Sequence, residues 1–398
     1  MVGSLTSLVW LTLGAFAIGT EGFMMAGLLP ALAHDLDVGL PAAGHLVTAF
    51  SLAYAIGAPV FAVLTAGLER KRLLALAMGG FALSNLLAAL ATGYAALMGA
   101  LLLLALCAAA FMPAAGGYAA GLGGPARQGR ALSMVIGGLT VAIIAGVPLG
   151  VLLGDAFGWR ATFLGVGAMA ALSLLGILAW LPRQPPSAIA SVGESMALAK
   201  RTDVLSVLAA TVLMVASTFT VYTYLAVFMH AVTGLGPRGL AVVLLLFGVA
   251  SAVGTRVGGS AADHWGARRT VICGCGLILL AYLALALGAA LGQAAMAILL
   301  PAIVLWGFAS WAVTTAQQAR LVALAPDLAA LSLSLNSSAI YLGSATGAAV
   351  GALVISDGPV ERLGWVAASI SFAALLTVLG SDGRRRTGDQ ASVKLPIV

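Results

Sequence analysis

Long apolar runs separated by short polar breaks dominate the chain. Cutting at the breaks gives twelve segments, at about residues 6–32, 41–66, 73–93, 95–122, 131–153, 160–181, 204–231, 238–261, 270–291, 294–318, 329–355 and 362–380. A helix of about 20 apolar residues crosses the hydrocarbon core of a bilayer. The pattern therefore predicts an all-α polytopic membrane protein with twelve transmembrane helices. The thinnest break is Gly292-Gln293, two residues between apolar runs. The longest polar stretch, Pro182 to Asp203, follows the sixth segment. It divides the chain into an N-terminal six-helix bundle over 1–181, a linker over 182–203, and a C-terminal six-helix bundle over 204–380. The polar, basic remainder at 381–398 reads as a tail.

Composition excludes a water-soluble fold. The 398 residues are 62% hydrophobic and 8% charged, against about 25% charged in soluble domains, and the mean hydropathy is +1.10. The 50 glycines, set among apolar residues, suit close helix approach in lipid. Cys107, Cys273 and Cys275 lie in apolar stretches and the four histidines are scattered, so no metal site is expected. The first apolar run is too long for a signal peptide, and Met1 to Thr20 contains no Lys or Arg. It reads as a retained first helix.

The formal charge of +6 is an orientation signal. With both termini cytoplasmic, the inner segments hold 15 of the 19 basic residues, among them Arg70-Lys71-Arg72, Arg268-Arg269 and Arg384-Arg385-Arg386. The outer loops hold Arg160, Arg238 and Arg362, and Arg256 lies within the eighth segment. The positive-inside rule selects this topology, which for a bacterial chain means the inner membrane. Basic residues spread over many short loops make no nucleic-acid surface.

The halves repeat. Gly57-Ala58-Pro59 leading to Arg70-Lys71-Arg72 returns, shifted by 197 residues, as Gly254-Thr255-Arg256 leading to Arg268-Arg269. A second echo pairs Gly158-Trp159 with Gly364-Trp365. Two similar halves about an axis along the membrane normal are the layout of alternating-access carriers.

The stretch Gly259-Ser260-Ala261-Ala262-Asp263-His264-Trp265-Gly266-Ala267-Arg268-Arg269 resembles the cytoplasmic loop signature of the major facilitator superfamily. Gly137 followed by Gly146-Val147-Pro148-Leu149-Gly150 is similar to the fifth-helix motif of its drug/proton exporters. With Gly19-Thr20-Glu21-Gly22-Phe23, Gly158-Trp159-Arg160 and Asn336-Ser337-Ser338, nearly the whole chain resembles the bacterial twelve-helix drug, sugar and nucleoside proton-antiporter branch, of the arabinose-efflux and purine-efflux type. That resemblance implies export. It also implies that glycines and Pro148 bring the fifth helix against the other half, and that Asp263, Arg268 and Arg269 serve the cytoplasmic gate. Arg256, seven residues before Asp263 and so on the same face of the eighth helix, reads either as a gating or anion-attracting residue or as an arginine that snorkels to the cytoplasmic end. Two positions depart from the pattern: Ala66 stands where the repeat has Asp263, and Leu101 stands where the family's fourth helix carries an Arg implied in proton coupling.

Glu21 carries the chemistry. It sits inside the apolar run from Ser7 to Ala33, where a charged side chain costs roughly 2.5–3.5 kcal/mol at a helix centre. Such a carboxylate needs a partner, a water-filled cavity or a proton, and a proton that comes and goes is a coupling ion. Tyr54, Asn85, Tyr222, Tyr224, Trp311, Gln317, Asn336 and Tyr341 are expected to line a cavity for a partly apolar solute. No Gly-x-x-x-x-Gly-Lys-Ser/Thr stretch for binding nucleotide phosphates occurs. The expectation is a monomeric, cofactor-free exporter of a small organic solute, not an enzyme, driven by the proton gradient. The alternative is a proton-independent facilitator, or a variant impaired in coupling by Leu101.

Overall fold

The computed structural model describes residues 2–65, 67–122, 128–186, 197–198 and 200–380. Ala66, most of the expected linker and the expected tail lie outside them. Among the described residues no strand occurs, and twelve helices are long and apolar enough to cross a membrane. They are α1 (Ser7–Asp35), α2 (Leu40–Leu64), α3 (Arg70–Ala89), α4 (Tyr94–Leu122), α5 (Gly129–Phe157), α6 (Trp159–Trp180), α7 (Thr202–Tyr222), α8 (Pro237–Trp265), α9 (Ala267–Leu291), α10 (Met296–Leu324), α11 (Leu331–Asp357) and α12 (Arg362–Gly380). In a bilayer only helices or closed barrels satisfy every backbone polar group.

The segment read as one helix over 204–231 is two pieces. α7 stops at Tyr222, and a short helix, Leu225–Thr233, follows. Tyr224 causes the break. Its backbone N–H reaches back three residues to Val221, and its hydroxyl donates to the Ala348 carbonyl of α11 at 3.0 Å. Its ring packs where side chains are missing at Gly44 of α2 and Gly351 of α11. The thin break between α9 and α10 is a 3₁₀ turn, Ala289–Ala294.

The halves pack alike. α3 lies against α4 and α6 as α9 lies against α10 and α12, and α1 lies against α5 and α6 as α7 lies against α11 and α12. The 197-residue echo is structural as well: Gly57 faces α4 at Leu106 and Ala109, and Gly254 faces α10 at Phe308. The second echo is not. Gly158 is the turn between α5 and α6 with φ +82°, whereas Gly364 lies inside α12 against the Ala286 backbone of α9. Only a residue without Cβ adopts such a φ freely. The turn presents a clamp: Asp35 accepts hydrogen bonds from Trp159 Nε1 (3.0 Å) and Arg160 Nη1 (2.5 Å), and Arg160 Nη2 donates to the Ala91 carbonyl (3.1 Å).

The halves join along two seams, α2 with α11 and α5 with α8. The apolar cluster of the C-terminal half also takes in Ala26, Leu29 and Ala33 of α1, Ala43 of α2, and Ile143, Val147 and Val151 of α5. All belong to the end away from the termini or to the middle. Asp155 and Arg238 approach to 4.0 Å at that far end. At the terminal end α2 stands largely clear: Pro59, Val60, Ala62, Val63 and Leu64 are exposed, a run that spans more than half of the helix circumference, with Phe61 half-buried on the remaining side. The two halves are therefore closed at the far end and parted at the end carrying the termini.

Candidate functional site

Glu21 is 1% exposed, and neither carboxylate oxygen has a hydrogen-bond partner. Its direction follows from its neighbours on α1. Phe23 faces the other half, with its ring 5.7 Å from Tyr222, 6.0 Å from Phe219 and 6.4 Å from Trp311. Two residues turn an α-helix by about 200°, so Glu21 faces away from the seam into the N-terminal half. Gly14, seven residues earlier, shares its face, and a methyl there would lie 2.6 Å from the Phe111 ring of α4 and 2.7 Å from Met78 of α3. Seven residues further along each helix, Leu104 and Asn85 come level with Glu21. Leu101, Leu104, Ala105 and Ala108 are all fully buried. Leu101 thus leaves α4 without a cation on the wall that Glu21 faces.

The residues expected to line one cavity fall into four groups. Tyr54 and Tyr341 meet across the α2–α11 seam, with ring centroids 3.5 Å apart and planes 17° apart. One turn toward the far end, the hydroxyls of Ser51 and Ser344 are 2.8 Å apart. Tyr222 and Trp311 join Phe23 and Phe219 in an aromatic group at mid-depth, and the Tyr222 hydroxyl donates to the Phe23 carbonyl at 3.3 Å. Tyr224 belongs to the far-end closure described above. Asn85, Gln317 and Asn336 do not reach the seam. Asn85 packs against Gly167 of α6, gives Nδ2 to the Phe81 carbonyl at 3.0 Å, and keeps a buried Oδ1 with no partner. Gln317 donates to Thr211 and the Val207 carbonyl, and Thr211 donates to Asn336. That knot ties α7, α10 and α11 inside the C-terminal half. A polar residue in an apolar helix marks either a cavity or a tie between helices, and sequence alone does not separate the two.

The α5 motif also differs from expectation. Gly146 packs on Thr20 of α1. Gly150 packs on Met24 of α1 and Thr162 of α6. Gly137 has open space beside it, and its neighbour Gly138 makes the close approach to α1. These glycines hold α5 to its own half. The residue that admits the other half is Gly248 of α8, where a methyl would lie 2.7 Å from both the Ile143 carbonyl oxygen and the Ile144 Cα. Ile143 and Ile144 sit in a π-helical turn, Ala142–Gly146. Val147 N–H bonds to the Ala142 carbonyl, and Pro148 has no N–H to give. The next bond of a π turn, from residue 148 to the Ile143 carbonyl, is one that a proline cannot make. Single π turns of this kind recur at functional sites. Beside it Thr140, Ser251, Thr255 and Trp311 surround the contact, which leaves no room for a water molecule.

At the terminal end Asp263, Arg256 and Arg269 are exposed. Arg268 donates to the Val378 and Leu379 carbonyls at 3.3 Å, which ties α9 to the end of α12. Phe23, Phe219, Ser51, Ser344 and Gly248 were not singled out from the sequence. An aromatic within an apolar helix gives no signal until its partner in another helix is known.

The model of the family described as Major Facilitator Superfamily matches residues 11–348. The chain is similar to the MFS-type transporter YbcL of Bacillus subtilis, 31% identical over 95% of this chain and 97% of that protein. It is 35% identical to the inner membrane transport protein YdhP of Escherichia coli, over 88% of this chain and 89% of that one. Its fold matches a solved bacterial homolog of the human lysosomal transporter Spinster, in an inward-facing and unoccupied conformation. There the TM-score is 0.71 and the identity 15%, over 95% of this chain and 98% of the other.

Proposed function

The chain belongs to the major facilitator superfamily and is a multi-pass membrane transporter, not an enzyme, and we propose that it exports a small organic solute in exchange for protons. Residues 1–181 and 204–380 act as two rigid halves in the bacterial inner membrane, with both termini cytoplasmic and the chain working as a monomer. On that topology the parted end opens to the cytoplasm, the same state as the Spinster homolog.

One observation carries the proton reading: Glu21 is buried with both oxygens unpartnered. A buried ionised carboxylate without a partner is heavily penalised, so a proton is the partner this position accommodates. Phe23, two residues on, touches the aromatic group of the other half. A change of charge on one face of α1 is thus one short lever from the seam on the other. The solute enters from the cytoplasm between α2 and α11 and meets Tyr54, Tyr341, Tyr222 and Trp311. Proton entry from outside accompanies closure behind it.

Inside-out vesicles with a panel of solutes, with and without an imposed proton gradient, test this. Gradient-driven accumulation is expected in the parent protein, and its loss in Glu21→Gln. Equal gradient-driven transport in that variant removes Glu21 from the mechanism. Leu101 favours a second reading, a facilitator on the same fold. Solute flux that ignores the proton gradient selects it.

A further inference from the structure

We propose that the Tyr54–Tyr341 stack is a docking slot for a planar, electron-poor ring system, which enters between the two tyrosines as the α2–α11 seam parts. The inference rests on reading the chain as a carrier of small organic solutes, and it names the class of solute.

The geometry of the pair carries it. A centroid distance of 3.5 Å at 17° is about the thickness of one ring, so the two phenols lie almost eclipsed. Aromatic pairs prefer offset or edge-to-face contact with centroids about 4.5–7 Å apart, because two π faces repel. The other ring contacts across the seam, those of Phe23 with Tyr222, Phe219 and Trp311, keep to 5.7–6.4 Å and are tilted or edge-on. The tyrosines are held face to face by the helices that carry them. Ser51 and Ser344, one turn away, fix the register at 2.8 Å. A ring with an electron-poor face would replace one repulsive contact by two attractive ones, and a cationic ring adds attraction to both tyrosine faces.

The slot is reachable. Beyond Tyr54 toward the termini, α2 is exposed over more than half of its circumference from Pro59 to Leu64, and Tyr341 is itself partly exposed. Nor does the fold require rings here. The 197-residue repeat places Ser251 of the α5–α8 seam, beside Thr140, where α2 has Tyr54. At that position one seam carries a stacked ring and the other a small hydroxyl.

The test uses the purified full chain in detergent, without a gradient, and two permanent monocations. One is 1-methylquinolinium; the other is its saturated, non-planar analogue N,N-dimethyldecahydroquinolinium. Calorimetric titration is expected to give about tenfold or tighter binding for the planar cation, from its two ring contacts. The preference should persist in Tyr54→Phe and Tyr341→Phe, which keep the rings. It should vanish in Tyr54→Leu and Tyr341→Leu, whose unfolding midpoints are checked alongside. Equal binding of the two cations overturns the proposal, as does a preference that survives the leucine variants. Binding is read without flux. A planar preference in a protein that ignores the proton gradient leaves the slot standing and removes proton exchange; gradient-driven export without that preference does the reverse.

Discussion

A single carboxylate sets the problem for this protein. Glu21 was legible in the sequence because acids are rare in apolar runs; its direction was not, since a helix of apolar residues gives no phase. Phe23 and Gly14 supply the phase, and they turn Glu21 into its own half, level with Asn85 and Leu104. Gly248 is the opposite case. It is one of 50 glycines and nothing marked it, yet it lets two backbones from different halves touch at the Ile143 carbonyl. The Gly248→Ala variant is expected to wedge the α5–α8 seam, at a cost of roughly 1–3 kcal/mol for overpacking in this conformation. Thermal unfolding in detergent should show a lower midpoint for Gly248→Ala and an unchanged or slightly higher one for Gly276→Ala, where a methyl meets open space and alanine is the better helix former. Equal midpoints would mean the backbone contact is slack.

Elements carry the motion. α5 is held to α1 and α6 by Gly138, Gly146 and Gly150, and meets α8 through a π turn in which residue 148, a proline, cannot donate to the Ile143 carbonyl. The sequence showed the motif but assigned its glycines to the wrong partner: spacing reports that a helix is smooth, not which neighbour lies against the smooth side. The break in α7 was likewise invisible, since Thr223 and Tyr224 suit a helix and only the recesses at Gly44 and Gly351 draw Tyr224 out of line. Pro148→Ala returns an N–H to α5. The helix can then close regularly, and the Ile143 carbonyl turns back into the ladder. Export is expected to slow several-fold while the unfolding midpoint holds or rises, since proline inside a helix costs about 3 kcal/mol. Transport at the parental rate would show that the π turn has no part in the cycle.

Across the whole molecule the pattern of apolar runs was enough to place twelve helices and to suggest two halves, because bilayer thickness dictates their length. The 197-residue repeat, read as two similar halves, has its structural counterpart in the shared packing of α2 on α4 and α8 on α10. It could not predict the difference between the seams, tyrosines in one and small hydroxyls in the other, nor which end is shut. Those depend on contacts between residues about 80–300 positions apart, for which one sequence holds no direct record. The closed far end, the parted terminal end and the unpartnered acid of α1 make one machine if the acid changes its charge as the ends exchange roles. Infrared difference spectroscopy of reconstituted protein, taking parent minus Glu21→Gln, isolates the carboxyl stretch of this one residue. On passing from mild acid to mild alkali, the band of the protonated acid should give way to that of the carboxylate, at a pH that shifts when an added solute changes the open end. A band fixed in one form across that range, with and without solute, contradicts proton exchange at Glu21.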